Sequence, residues 1–202
     1  MSMPRFKEKY KSFSDEKLLA FIQQKNSAGQ AAFDELYERY SRPLLYYFHR
    51  MLGGQTERAQ DCLQDLFLKI VARPELFNPA QRFRTWVYTV AHNMCKNEYR
   101  RREISKIVEP TGNLEVLSAE TENIETALEQ QIFQQALFLE LEKLEESHRT
   151  TFLLRYQNDF SIKEISEILD CSEGTTKSRL FYTAKKLATQ LSAFHPQESE
   201  VH

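Results

Sequence analysis

Residues 161–187 read SIKEISEILDCSEGTTKSRLFYTAKKL, a stretch dense in hydroxyls, aromatics and cations. At 100° per residue, Thr175, Ser178, Phe181, Tyr182 and Lys185 fall on one side of a helix, with Lys177 and Arg179 on its two rims. Hydroxyls and aromatic edges suit base edges in a DNA groove, and flanking cations suit phosphates. A merely solvated face has little use for Phe181 beside Tyr182, although a helical hairpin in a bundle remains the plain alternative. A second equipped stretch is RFRTWVYTVAHNMCKNEYRRRE, residues 82–103. Trp86, Val87, Val90, Ala91 and Met94 share one arc of it. Thr89, His92, Asn93, Lys96 and Arg100 share the opposite arc, and Arg82, Arg101 and Arg102 add charge. Such a stripe suits a nucleic-acid backbone. Phe83, Trp86, Tyr88 and Tyr99 lie close enough in sequence to stack on unpaired bases, worth about 1–3 kcal/mol per base. Trp86 fits an ordinary core position equally well.

Catalysis finds less support. Asp61 and Asp65 are paired at helical spacing, and His92 with Cys95 makes an HxxC, but three or four ligands are needed to hold a metal. There is no GxSxG, P-loop or HExxH. No metal site and no cofactor are expected. Cys62, Cys95 and Cys171 are scattered, giving neither a disulfide framework nor a CxxC pair. In DCLQDLFLKIV, residues 61–71, the positions Asp61, Gln64, Asp65 and Leu68 lie off the apolar stripe. An exposed leucine among carboxylates and an amide fits a protein-binding surface, though a lone exposed leucine needs no explanation.

The elements that must carry these residues read as helices. With only five glycines in 202 residues, a turn-dense β-sandwich is disfavoured. Ser14, Thr56, Ser161 and Ser172 are candidate helix caps. Ser41 and Pro43 interrupt the helical pattern that starts at Ala31, and Gly53-Gly54 stops its continuation. In the last helix Thr176, Leu180, Ala184, Leu187 and Leu191 make the side expected to pack on Ile165 and Leu169. Charge comes in blocks. Arg82, Arg84, Lys96, Arg100, Arg101, Arg102 and Lys106 face only Glu98 and Glu103, and Gly174–Gln190 carries Lys177, Arg179, Lys185 and Lys186 with no acid. Between them Glu109–Glu146 holds ten acidic residues against Lys143. The expectation is an all-α chain of two small helical domains joined by a flexible acidic linker, the C-terminal domain a helix-turn-helix. The spans are a flexible N-terminus 1–13, a helical domain 14–106, a linker 107–124, a second domain 125–193 and a flexible tail 194–202. The longest apolar runs are five residues, against about 20 for a bilayer span, and residues 1–25 lack a secretory signal, so a cytoplasmic location without membrane insertion is expected.

Four blocks in this order, FDELYERYSRPLLYYF, DCLQDLFLKIV, RFRTWVYTVAHNMCKNEYRRR and LEESHRTTFLLRYQNDFSIKEISEILDCSEGTTKSRLFYTAKKL, resemble a bacterial sigma factor of the sigma-70 family, in its two-domain extracytoplasmic-function group. The resemblance spans roughly residues 28–104 and 125–191, with Glu145, Ser166, Thr176 and Lys177 departing from commoner residues. It implies a non-catalytic subunit that binds core RNA polymerase and directs promoter recognition, −10 melting and transcription initiation. Its partners would be the clamp helices and flap of the two large polymerase subunits, promoter DNA, and an anti-sigma factor or other recruiting protein. Asp61, Gln64, Asp65 and Leu68 would dock on polymerase. Arg82, Trp86, Thr89, His92, Asn93, Lys96 and Arg100 would bind the single-stranded −10 element, with Asn93 and the loop Phe77–Gln81 at a pocket for a flipped base. Thr175, Lys177, Ser178, Arg179, Phe181, Tyr182 and Lys185 would read the −35 duplex. Two other readings stay open on the residues alone. A free-standing helix-turn-helix regulator explains the C-terminal half and leaves the Trp86 helix idle; an enzyme lacks a catalytic set.

Overall fold

Ser14 starts the first well-formed helix: its backbone is extended and its hydroxyl accepts the Lys17 N–H at 3.3 Å, with Asp15 and Glu16 in the first turn. From there the computed structural model runs α1 (Asp15–Ile22), α2 (Ser27–Met51), α3 (Thr56–Ala72), α4 (Phe83–Ser105), α5 (Ile124–Glu142), α6 (Glu146–Tyr156), α7 (Ile162–Leu169) and α8 (Glu173–Gln190). Single 3-10 turns cover Pro74–Leu76 and Ser192–Phe194. The structure describes residues 9–24, 26–78, 80–105 and 124–194, and among these there is no strand. The chain divides into two compact units, one built on α1–α4, the other on α5, α6, α8 and the first part of α7. The acidic stretch expected as a linker lies outside the described residues, except that Ile124 already belongs to α5.

The N-terminal unit buries Leu18, Leu19, Leu36, Leu44, Tyr47, Phe48, Leu66, Phe83 and Val87 almost completely. Each such side chain contributes about 1.5–3 kcal/mol relative to exposure. α1 and α2 cross so closely that a Cβ on Gly29 would sit 2.9 Å from the Phe21 carbonyl oxygen. α2 corrects the expected break: it runs unbroken for 25 residues through Pro43. Proline removes one helical N–H, but Pro43 is exposed, and the apolar row Leu36, Tyr40, Leu44, Tyr47, Phe48 and Met51 is continuous across it. Burial of that row outweighs one lost hydrogen bond. Gly53 and Gly54 take φ of 69° and 74° and end the helix, as their sequence suggested. Thr56 does not cap α3. Gln55 holds the cap position without a side-chain capping hydrogen bond, and Thr56 is already helical.

Residues 9–13 differ from the loose N-terminus expected. They form a helical turn that buries Tyr10, and Arg39 of α2 ties them down. Its guanidinium donates to the carbonyls of Phe13 (3.0 Å), Lys11 (2.9 Å) and Tyr10 (3.3 Å), and pairs with Asp15 (2.7 Å) and Glu35 (2.8 Å). Burial opposes the charge, yet the hydrogen bonds that Arg39 donates to Asp15 and Glu35 hold its pKa above the ordinary value. Asp15 also accepts from the Tyr40 hydroxyl; burial first, then that bond, raises the Tyr40 pKa.

In the C-terminal unit Ser161 and Glu164 make a reciprocal capping box at the start of α7. The Ser161 Oγ accepts the Glu164 N–H at 3.2 Å, and the Glu164 carboxylate accepts the Ser161 N–H at 2.9 Å. Asp170 ends α7 in the left-handed region, φ 47°, and the Cys171 N–H closes on the Ser166 carbonyl at 3.0 Å. Ser172 then caps α8, accepting the Thr175 N–H at 3.0 Å. Leu153, Leu154, Phe160, Ile165, Thr176 and Leu180 make the core. The packing side of α8 needs one correction: Ala184 is exposed and Thr183 is buried. α8 lies chiefly against α6, where the Thr183 hydroxyl meets His148 Nδ1 at 2.9 Å, so the inward arc is rotated toward α6. Phe194, expected in the flexible tail, ends the 3-10 turn Ser192–Phe194. Phe194 pairs edge-on with Phe133 at 5.7 Å, and residues beyond it lie outside the described ones.

Candidate nucleic-acid interface and docking face

On α8, burial of Thr176, Leu180, Thr183 and Leu187 turns the other face outward. Thr175, Lys177, Ser178, Phe181, Tyr182, Lys185 and Lys186 are all exposed, and Arg179 is half-buried. The rings of Phe181 and Tyr182 meet edge to face, centroids 5.4 Å apart, while remaining 63% and 61% exposed. Arg179 directs Nη1 toward Cys171 Sγ at 3.8 Å, along the α7–α8 connection. Lys177 stands 4.0 Å from Glu173, both exposed, a pairing of little strength in water. Gly174 lies on this outward face with room for a methyl, the nearest heavy atom to an added Cβ being Ser172 Oγ at 3.6 Å.

The stripe on α4 is narrower than the helical wheel implied. Asn93, Lys96 and Arg100 are exposed, as is Arg82 just before the helix, and Thr89 is half-buried with its hydroxyl on the Thr85 carbonyl at 3.0 Å. His92 is a correction: only 9% exposed, it belongs to the core. The aromatic set is corrected too. Phe83 and Tyr88 are fully packed, and Tyr99 donates its hydroxyl to the Met51 carbonyl. Trp86 keeps partial exposure, as does Tyr99, and the Trp86 ring is held at 5.5 Å from Phe77 and 5.7 Å from Phe83. α4 therefore buries a wide arc (Phe83, Thr85, Val87, Tyr88, Ala91, His92 and Cys95), because α2 and α3 both pack on it. In the loop before it, Phe77 is buried, and Asn78 accepts the Ala80 N–H at 3.0 Å.

One residue that positions α4 has no local signal in the sequence. Glu16 of α1 accepts the Phe83 N–H at 3.0 Å, supplying from 67 residues away a partner for one of the backbone N–H groups at the start of α4. Burial pushes the Glu16 pKa up, but the Phe83 hydrogen bond and nearby Arg82 bring it below the usual carboxylate value. Farther along, Arg58 of α3 grips Glu98 at 2.9 Å, and Arg101 approaches Glu98 from the other side at 3.7 Å. Glu98 thereby fixes the basic half of α4 against α3.

α3 presents Asp61, Gln64, Asp65 and Leu68 together on its exposed side. Leu68 is 65% exposed, and the neighbouring Val71 and Leu76 extend the apolar patch. Neither was singled out from the sequence: Val71 fits the buried stripe of α3 by spacing, and Leu76 lies beyond the stop at Arg73-Pro74. Among the described residues no group of three or more His, Cys, Asp and Glu can hold a metal ion. No helix among them is long and apolar enough to cross a membrane.

Comparison with known proteins matches these units one by one. The family model for Sigma-70 region 2 covers residues 36–104, and that for Sigma-70 region 4 covers 134–187. The chain is 28% identical over 167 residues to the RNA polymerase sigma factor YlaC of Bacillus subtilis, covering 83% of this chain and 96% of that one. It is 29% identical over 167 residues to the ECF sigma factor SigL of Mycobacterium tuberculosis, covering 82% and 92%. Its fold is similar to that of CnrH, solved in complex with the cytosolic domain of CnrY, at 22% identity and a TM-score of 0.64 over 90% of this chain and 99% of that one. It is similar also to the sigma factor RpoE of Bartonella quintana, solved with the anti-sigma factor NepR, at 21% identity and a TM-score of 0.62 over 78% and 97%. With both conserved regions present, in order, on the two helical units, this chain belongs to the sigma-70 family, in its extracytoplasmic-function group, as a non-catalytic subunit that directs RNA polymerase to promoters and starts transcription.

Proposed function

We propose that the two units divide promoter contact between them, the span 14–106 engaging the −10 element and polymerase, the span 125–193 engaging the −35 duplex. The observation that carries this division is that each unit holds one exposed, acid-poor face of cations with amide or hydroxyl groups: Asn93, Lys96 and Arg100 on α4, and Thr175, Ser178 and Lys185 on α8. On α4, Arg82, Lys96 and Arg100 follow the phosphates of the separated strand, Trp86 offers a ring edge, and Asn93 supplies both a donor and an acceptor to an extruded base. Capture of that base offsets part of the few kcal/mol that unstacking costs, so binding opens DNA without nucleotide hydrolysis. On α3, Leu68 with Asp61, Gln64 and Asp65 docks on the polymerase clamp helices. The protein acts in the cytoplasm, where polymerase is, and takes a regulatory partner of the anti-sigma class, as the solved relative RpoE does with NepR.

The division is tested with polymerase reconstituted around Asn93→Ala. Permanganate reactivity at the −10 thymines should fall about tenfold while the closed complex forms at near-normal affinity. Equal loss at both steps removes the base-capture role.

A further inference from the structure

Two bare aromatic rings on an otherwise polar helix face need an account. Phe181 and Tyr182 are 63% and 61% exposed and touch each other edge to face at 5.4 Å. The packing of the C-terminal unit does not use them: the inward side of α8 is Thr176, Leu180, Thr183 and Leu187. Exposed cations border the pair, Lys177 on one rim and Lys185 and Lys186 one turn on, so the partner that covers the rings carries negative charge close by. This rests on the reading that α8 enters the −35 duplex. In the major groove, one group is apolar and projects toward a protein, the C5-methyl of thymine. The strongest alternative readout, an arginine fork on guanine, is not offered here. Arg179 is the sole arginine of α8, and it is half-buried with Nη1 toward Cys171 Sγ at 3.8 Å.

We propose that Phe181 and Tyr182 form an apolar clamp that reads thymine methyl groups, making them specificity-determining residues of the −35 contact. The two touching rings present a carbon surface against which a methyl can pack, with the Tyr182 hydroxyl as the pair's one polar group. Lys185 and Lys186 hold the phosphates nearby and carry affinity rather than choice.

The test uses the full chain assembled with core polymerase and a promoter selected from a randomised library. Each −35 thymine is replaced in turn by uracil, which removes the methyl and keeps the pairing edge. At one or two positions uracil should weaken binding about fourfold, the loss expected for one buried methyl. Phe181→Ala and Tyr182→Ala should bind thymine and uracil sites equally, whereas Lys186→Ala should weaken both and preserve their ratio. Uracil binding as well as thymine everywhere, or a thymine preference that survives both alanine variants, overturns the clamp. If uracil is without effect but Ser178→Ala still alters −35 binding, the clamp alone falls. If no α8 variant alters −35 binding, the reading beneath it falls as well.

Discussion

Replacing Glu16 by glutamine tests how the −10 helix is held in place. Glu16 accepts the Phe83 N–H at the head of α4, at 3.0 Å, and it is only partly buried. A hydrogen bond to a charged group contributes about 1.5–3 kcal/mol when well shielded, and partial exposure brings this toward the roughly 1 kcal/mol typical of a helix cap. Glutamine keeps the shape and loses the charge, so Glu16→Gln should cost about 1 kcal/mol at neutral pH. The protein carries its own reporter, since its single tryptophan, Trp86, packs on Phe77 and Phe83 three residues into the same helix. With urea slopes of about 1–3 kcal/mol/M, the midpoint of the Trp86 fluorescence transition should fall by about 0.5 M. The pH dependence has a definite sign. A carboxylate whose folded pKa lies below its unfolded one stabilises above the unfolded value, and that stabilisation is lost as pH falls through the folded value. The gap between wild type and Glu16→Gln should therefore be full at about pH 7 and shrink as pH drops from about 5 toward 3. A gap of the same size across that range, or no gap at neutral pH, refutes the charged cap.

Leu68→Arg should lower affinity for core polymerase at least tenfold with thermal stability unchanged, because Leu68 is 65% exposed; measured by co-purification and melting, an unaltered affinity removes the docking role. Gly29→Ala should destabilise the N-terminal unit by about 1–3 kcal/mol, because its Cβ would press on the Phe21 carbonyl at 2.9 Å. Gly174→Ala, where the nearest atom is 3.6 Å away, should melt no lower than wild type; equal melting of the two variants would refute this steric reading. Lys177→Ala and Ser178→Ala should change which −35 sequence is preferred, while Lys186→Ala should lower affinity on all sequences and reduce the salt slope by about 1; uniform effects of all three would erase the distinction between reading and holding.

The helix-turn-helix was legible because its information is local. The capping box at Ser161 and Glu164, the cap at Ser172 and the apolar spacing of Ile165, Ile168, Leu180 and Leu187 all act within a few residues. The sequence reading failed where distant packing decided the outcome. Pro43 stays inside α2 because one continuous apolar row crosses it. Thr183 displaces Ala184 from the core because α6 supplies His148 as a hydrogen-bond partner. His92, Phe83 and Tyr88 left the candidate DNA surface because α4 is covered from two sides, and a helical wheel drawn for one buried stripe assigns the second to solvent. Tyr10 is buried because Arg39, 29 residues on, binds the carbonyls around it. What survived of the candidate surface, Asn93, Lys96 and Arg100 with most of the α8 set, is the part where exposure and chemistry agree.

Run-off transcription from a randomised promoter library measures the main conclusion directly. Core polymerase supplied with the purified chain should start at fixed distances downstream of a two-block motif that core polymerase alone ignores, and both blocks should be needed on linear duplex. Starts scattered as they are without the chain, or a motif of a single block, would contradict a protein that binds a promoter with two separate helical units.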